Sequence, residues 1–207
     1  DWTGFDNGSR GLTAPVAAFL SGGQRIGDLG VDQQAIAGAI VNADNGVIQK
    51  NNNIPMNFSG SLTGGTSFEL GDGVFLGVIA TGGINNKWRT RDITQQTAAS
   101  ETVLASDFRR VSTENRIVVN GLVGFGLEFG DHQIRWTNLY IRDTVKQTRL
   151  AEGEEQNLGD FSIIRQDTAW FERQLIDTQL VGEFQIGPVK LDVRGVYANS
   201  QREAPYE

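Results

Sequence analysis

The sequence predicts an all-β chain: an antiparallel transmembrane β-barrel segment of about six long strands in three hairpins, preceded by a short mixed helical and coil remnant. Three observations predict it. Apolar and polar residues alternate with a period of two, the pattern recurs around three short turns, and the connections sort into very short ones and long polar ones.

The first strand is read over 57–70. Its even positions are Phe58, Gly60, Leu62, Gly64, Thr66, Phe68 and Leu70, and polar or small residues fill the odd ones. Only an extended chain puts residues i and i+2 on the same side. After the turn signal Gly71-Asp72-Gly73, a second apolar row runs through Val74, Leu76, Val78, Ala80, Gly82 and Ile84 to Trp88, with Thr81, Asn85, Lys87, Arg89 and Arg91 opposite. Phe75 and Ile79 break the rule near the turn.

The second pair repeats the scheme, with Ile117, Val119, Val123, Phe125, Leu127 and Phe129 facing away from Arg116, Asn120 and Glu128, and a turn at Gly130-Asp131-His132. The return strand over 133–144 is ambiguous, because Ile134, Trp136 and Tyr140 share one parity and Leu139 and Ile141 the other. A bulge near Asn138 is expected to reconcile them, since one extra residue switches faces. The third pair runs through Ile176, Thr178, Leu180, Gly182, Phe184 and Ile186, turns at Gly187-Pro188, and returns through Val189, Leu191, Val193 and Tyr197. Strands of this length exceed the roughly 9 to 11 residues that cross a bilayer at a tilt.

Between the hairpins, residues 92–114 and 149–167 read as long polar loops. Short turns on one side and long loops on the other are the asymmetry of outer-membrane barrels. Aromatic residues agree: Phe68, Phe129 and Phe184 sit beside the short turns, and Trp88, Trp136, Tyr140, Trp170 and Tyr197 complete a set of membrane-interface aromatics. Hydrocarbon cannot satisfy backbone N–H and C=O groups, so the strands must bond to one another and close. Six strands leave two edges, and further strands are expected beyond them.

Composition narrows the function classes. The 207 residues include no cysteine, which removes disulfides and thiolate chemistry, and the net charge of −7 opposes a nucleic-acid-binding role. No run approaches the roughly 18 apolar residues of a membrane-spanning helix, so a membrane reading has to be a barrel reading. The chain starts at Asp1 without a signal-like segment and reads as mature or fragmentary.

Residues 1–56 lack the period of two and form the first of two regions, with 57–207 the second. Thr13, Ala14, Pro15 and a Gly22-Gly23 stop predict one helix. A second is expected from Asp32 to Asn45-Gly46, with Ile36, Ile40 and Val41 along one side.

Three strings resemble barrel segments of TonB-dependent receptors: residues 132–140 (HQIRWTNLY), 167–175 (DTAWFERQL) and 197–206 (YANSQREAPY). Asp6-Asn7-Gly8-Ser9-Arg10-Gly11 resembles the end of the plug in the same family. The resemblance implies that 1–56 ends a luminal plug and that the chain contributes the first strands of a barrel of about 22. It also implies the outer membrane as location, and as partners the lipid bilayer, the rest of barrel and plug, TonB through a segment not present here, and a small-molecule ligand. A small barrel or adhesin-type anchor without active transport, or a soluble β-sheet binding module, are the alternatives.

Lys87, Arg89 and Arg91 are the candidate substrate path, on the expected lumen face, where a basic patch attracts anions. The other chemical signals are weak. Gly124 to Gly130 has GxGxxxG spacing inside a strand and is no phosphate loop. His132 reads as a solvated turn residue, and Glu152, Glu154, Glu155 and Asp160 as a solvated loop able at most to hold a cation. Glu172 and Asp177 have opposite parity and make no catalytic pair. No enzyme activity and no cofactor is expected.

Overall fold

Alternating residues that cannot bury both faces extend and pair with their neighbours in sequence, and every hairpin read from the pattern is present. The computed structural model describes residues 3–5, 11–40, 48, 50–159 and 161–206. The strands are β1 (Phe58–Gly71), β2 (Val74–Ala98), β3 (Leu104–Phe129), β4 (His132–Glu155), β5 (Ser162–Ile186) and β6 (Val189–Tyr206). They form one antiparallel sheet in the order β1-β2-β3-β4-β5-β6, so each strand pairs with its neighbour in the chain.

Turn chemistry fixes the register. Asp72 and Gly73 both have positive φ (51° and 73°), as a type I′ hairpin turn requires. Gly130 (φ 56°) and Gly187 (φ 58°) instead place one left-handed glycine at the first turn position, ahead of Asp131 and Pro188. A proline there costs nothing, because that N–H makes no ladder bond.

Two expectations are corrected. The polar stretches 92–114 and 149–167 are mostly strand: the connections are only residues 99–103 and 156–161, the latter holding a 3-10 turn at Gln156–Leu158. Polar residues on both faces erase the alternation while leaving backbone pairing intact. The bulge near Asn138 does not exist, since β4 pairs without a register shift against both β3 and β5. Leu139 and Ile141 simply face the other way, Leu139 opposite Leu122 and Ile141 opposite Leu175.

The N-terminal region contributes α1 (Ala14–Ser21) and α2 (Gln33–Ile40). Asp32 caps α2, its Oδ1 accepting from the Ala35 N–H at 3.0 Å. Thr13 starts α1 without capping it; its hydroxyl donates instead to the Ala39 carbonyl at 2.8 Å and ties the two helices together. The expected continuation of α2 through Val41 to Gly46, and all of the plug-like string 6–11 but its last residue, lie outside the described residues. A single sheet has no second layer, and large apolar side chains remain exposed along it, among them Leu62, Leu180, Val193 and Tyr197.

Candidate functional site

Residues directly opposite in an antiparallel pair share a face, so the register assigns every side chain. One face carries Phe58 to Phe68 of β1, Val74 to Ile84 of β2, Ile117 to Phe129 of β3, Ile134 to Tyr140 of β4, Ile176 to Ile186 of β5 and Val189 to Tyr197 of β6, at alternate positions. This is the banded face. Beyond those residues it turns polar: Asn86, Asn115, Arg142, Gln174 and Asn199 come next. The apolar stretch covers only the half of each long strand nearer the short turns.

The upper edge of the band runs obliquely across the strands. Phe58 lies opposite Asn86, whereas Tyr197, traced through Thr178, Asn138 and Val123, lies in the row of Ala80. The edge therefore falls from position 86 to position 80 of β2 over five strand steps. With about 3.3 Å per residue and about 4.8 Å between strands, that slope corresponds to strands tilted roughly 40° from the normal to the edge. A stretch of about 10 residues at that tilt rises ~25 Å.

The interface aromatics stand at four levels. Phe68, Phe129 and Phe184 are on the banded face at the turn end, and Tyr140 and Tyr197 at its upper edge. Trp136 sits within the band, stacked on Phe125 at 5.5 Å. Trp88 and Trp170 share one row with Asn115 and Lys146, three alternate positions above Tyr140. The polar atoms inside the band satisfy one another: Trp136 Nε1 donates to Thr178 Oγ1 at 3.0 Å, and Thr178 Oγ1 donates to Asn138 Oδ1 at 2.5 Å.

Above the band, the same face holds a buried polar cluster. Trp170 Nε1 donates to Glu172 Oε1 at 2.7 Å, Arg142 pairs with Glu172, Lys146 lies over the Trp170 ring, and Asn115 donates to Asn86 at 2.6 Å. The N-terminal segment docks here. Thr144 Oγ1 donates to the Gly4 carbonyl at 2.6 Å and the Phe5 ring lies 4.1 Å from the Arg142 guanidinium. Gly4, at φ +86°, fits because a Cβ would come within 3.0 Å of Thr144 Oγ1.

The opposite face is mixed beside the band, where Phe75, Ile79, Leu122, Leu139, Ile141 and Leu175 interrupt its polar residues, and above the level of the band it is basic. Lys87, Arg89, Arg91, Arg110, Arg116, Arg149, Arg165, Arg173 and Arg202 stand there against Glu114, Asp143, Glu155 and Asp167. The banded face at that level has the reverse balance, with Asp92, Asp107, Glu152, Glu154, Glu172 and Glu203 against Arg109, Arg142 and Lys146. Lys87, Arg89 and Arg91 are thus joined by residues of four other strands that the sequence reading missed. Only register brings them together, so no local signal could have found them. They also lie mid-strand, since β2 continues to Ala98.

Ion pairs relieve part of the basic field. Asp143 takes a two-pronged contact from Arg116 at 2.8 Å, Glu155 pairs with Arg165, and Arg110 donates to Gln95 at 2.9 Å. On the banded face Arg109 binds Asp92 through two contacts, and this hydrogen bond holds the Asp92 carboxyl below its usual range.

His132 is not a solvated turn residue. It begins β4 with its ring between Phe129 (5.2 Å) and Phe184 (5.9 Å), and its Nδ1 accepts from the Gln185 N–H at 3.2 Å. Glu152, Glu154 and Glu155 belong to the end of β4 and not to a loop; Asp160 lies outside the described residues. Glu172 and Asp177 do face opposite sides.

No protein-family model matches the chain, and no curated protein does. Among solved structures, the chain is similar to Ail, the attachment invasion locus protein of Yersinia pestis, at 10% identity over 71% of this chain and 94% of that one. The TM-score is 0.14, too low for the likeness to bear on fold or function.

Proposed function

We propose that the chain is a wall segment of an outer-membrane β-barrel, with the banded face against lipid and the opposite face toward the aqueous interior. The oblique band carries this reading. Its height of ~25 Å and its slope of roughly 40° are what a bilayer cuts across strands tilted as barrel closure demands. A solvated or partner-bound sheet has no reason to step its apolar edge down from one side to the other. The self-contained bonding of Trp136, Thr178 and Asn138 supports it too, because hydrocarbon supplies no other partner.

Depth-dependent quenching tests the reading. In vesicles of brominated phosphatidylcholine, a chain retaining Trp136 alone is expected to be strongly quenched, and one retaining Trp170 alone is not. Equal quenching of both, or folding of the chain in water without lipid, sinks the proposal.

Within the barrel reading, the strings at 132–140, 167–175 and 197–206 support the finer proposal of a TonB-dependent receptor that takes up a scarce solute. A second reading, an anchor or adhesin-type barrel without a luminal plug, is favoured by one observation. Gly4 and Phe5 dock on the banded face, whereas a plug would meet the opposite one. The chain has no native cysteine, so cross-linking separates the two cleanly. A disulfide between Phe5→Cys and Arg142→Cys in the membrane-embedded protein supports the anchor; a disulfide between Phe5→Cys and Lys87→Cys supports the plug.

A further inference from the structure

We propose that the basic field on the opposite face is a binding surface for a polyanionic solute, one carrying two or more phosphate or carboxylate groups. The inference rests on the barrel reading, since only a closed wall turns this face into an enclosed water path.

The arrangement works against the sheet. Lys87 stands directly opposite Arg116, and Arg173 directly opposite Arg202. Like charges in directly opposed positions destabilise a strand pair. They persist in a chain whose net charge is −7 and whose acidic side chains, at the same height, sit mainly on the other face. Internal neutralisation was therefore available in composition but is made only in part, by Asp143 on Arg116 and Glu155 on Arg165.

The groups are also presented for use. Lys87, Arg89, Arg91 and Arg173 are exposed and make no ion pair among the described residues; Glu114 lies opposite Arg89, and Asp143, opposite Arg173, is held by Arg116. Alternate residues of a strand repeat at about 6.6 to 6.8 Å, so Lys87, Arg89 and Arg91 form a row that matches several anionic groups on one molecule better than a single ion. Arginine forks grip carboxylate and phosphate through paired N–H donors, which gives the site a preference for such groups over halide. A lipid headgroup has the same chemistry. The field lies on the side away from the band, and so a free solute is the occupant proposed.

The test uses the full chain refolded in phosphatidylcholine vesicles at low ionic strength, with pyrophosphate as probe, followed by isothermal titration calorimetry. Binding is expected, weakening as salt is raised, and at least tenfold weaker in the combined variant Lys87→Gln, Arg89→Gln, Arg91→Gln. Arg109→Gln, which removes a positive charge at similar height on the banded face, should leave it unchanged. An unchanged affinity in the combined variant, or an equal loss in Arg109→Gln, overturns the proposal. Competition by added phosphatidylglycerol also overturns it, assigning the charges to lipid. Trp136 quenching on the same samples keeps the readings separate: a quenched chain that fails to bind pyrophosphate refutes the anion surface alone, and an unquenched chain refutes the barrel.

Discussion

Thr178 shows how little polarity the banded face leaves unpaired. Its hydroxyl receives the Trp136 indole N–H and donates to the Asn138 amide oxygen, so one side chain satisfies two others. Thr178→Val keeps the shape and orphans both neighbours. A loss of about 1 to 3 kcal/mol is expected in urea unfolding of the vesicle-embedded chain, the usual cost of an unsatisfied group. Asp92 illustrates the contrary case beyond the band. Its carboxyl is held below its ordinary range chiefly by the Arg109 hydrogen bond. A depressed carboxylate contributes stability above its unfolded pKa and loses it as pH falls through the folded value. Because the pair is exposed, its contribution to stability is small. NMR titration should place the Asp92 midpoint below that of a free aspartate, and Arg109→Gln should return it to the ordinary range.

At the level of strands, Gly153 and Gly73 mark where backbone geometry constrains the sequence. A Cβ on Gly153 would lie 1.9 Å from the Asp107 carbonyl oxygen, so Gly153→Ala is expected to part β3 from β4 at their far end. Faster amide exchange over 106–110 and 150–155, with the turn end unaffected, would show it. Gly73→Ala, at φ 73°, should cost about 1 kcal/mol in the same urea assay, since an L-residue resists the left-handed region. The strands themselves were legible where one side met the band and the other was polar: the runs around Leu62 and Val193 alternate cleanly, while Ile79 beside Val78 and Leu122 beside Val123 blur the period. Further along, Trp88, Thr90, Asp92, Thr94 and Gln96 alternate with Arg89, Arg91, Ile93 and Gln95, polar against polar, and the period disappears although the ladder does not. At 133–144 the difficulty was the reverse. Leu139 and Ile141 fill an apolar patch with Leu122 and Leu175 on the opposite face, which mimicked a change of side. The candidate site was legible only as Lys87, Arg89 and Arg91, because Arg116, Arg173 and Arg202 join them through strand pairing across long separations.

Over the whole molecule, the two faces should respond oppositely to the same insult. Val123 is near the middle of the band and Leu122, one residue away, faces the other side. Val123→Arg is expected to destabilise the embedded chain by about 2 to 4 kcal/mol, the cost of an arginine near the bilayer midplane, while Leu122→Arg costs much less. Comparable losses would contradict the assignment of faces.

The strands do not stop where the band does. From Asn86 to Ala98 and from Leu104 to Asn115, β2 and β3 continue as a paired ladder with polar side chains on both sides. At a tilt of roughly 40° a dozen residues climb about 30 Å, so the protein would carry a stiff parapet above the lipid instead of slack loops. Whatever approaches from outside then meets fixed pleats. An antibody raised against the folded chain should recognise this parapet by its shape and ignore the linear peptide 86–98, which in isolation has no neighbour to hold it straight.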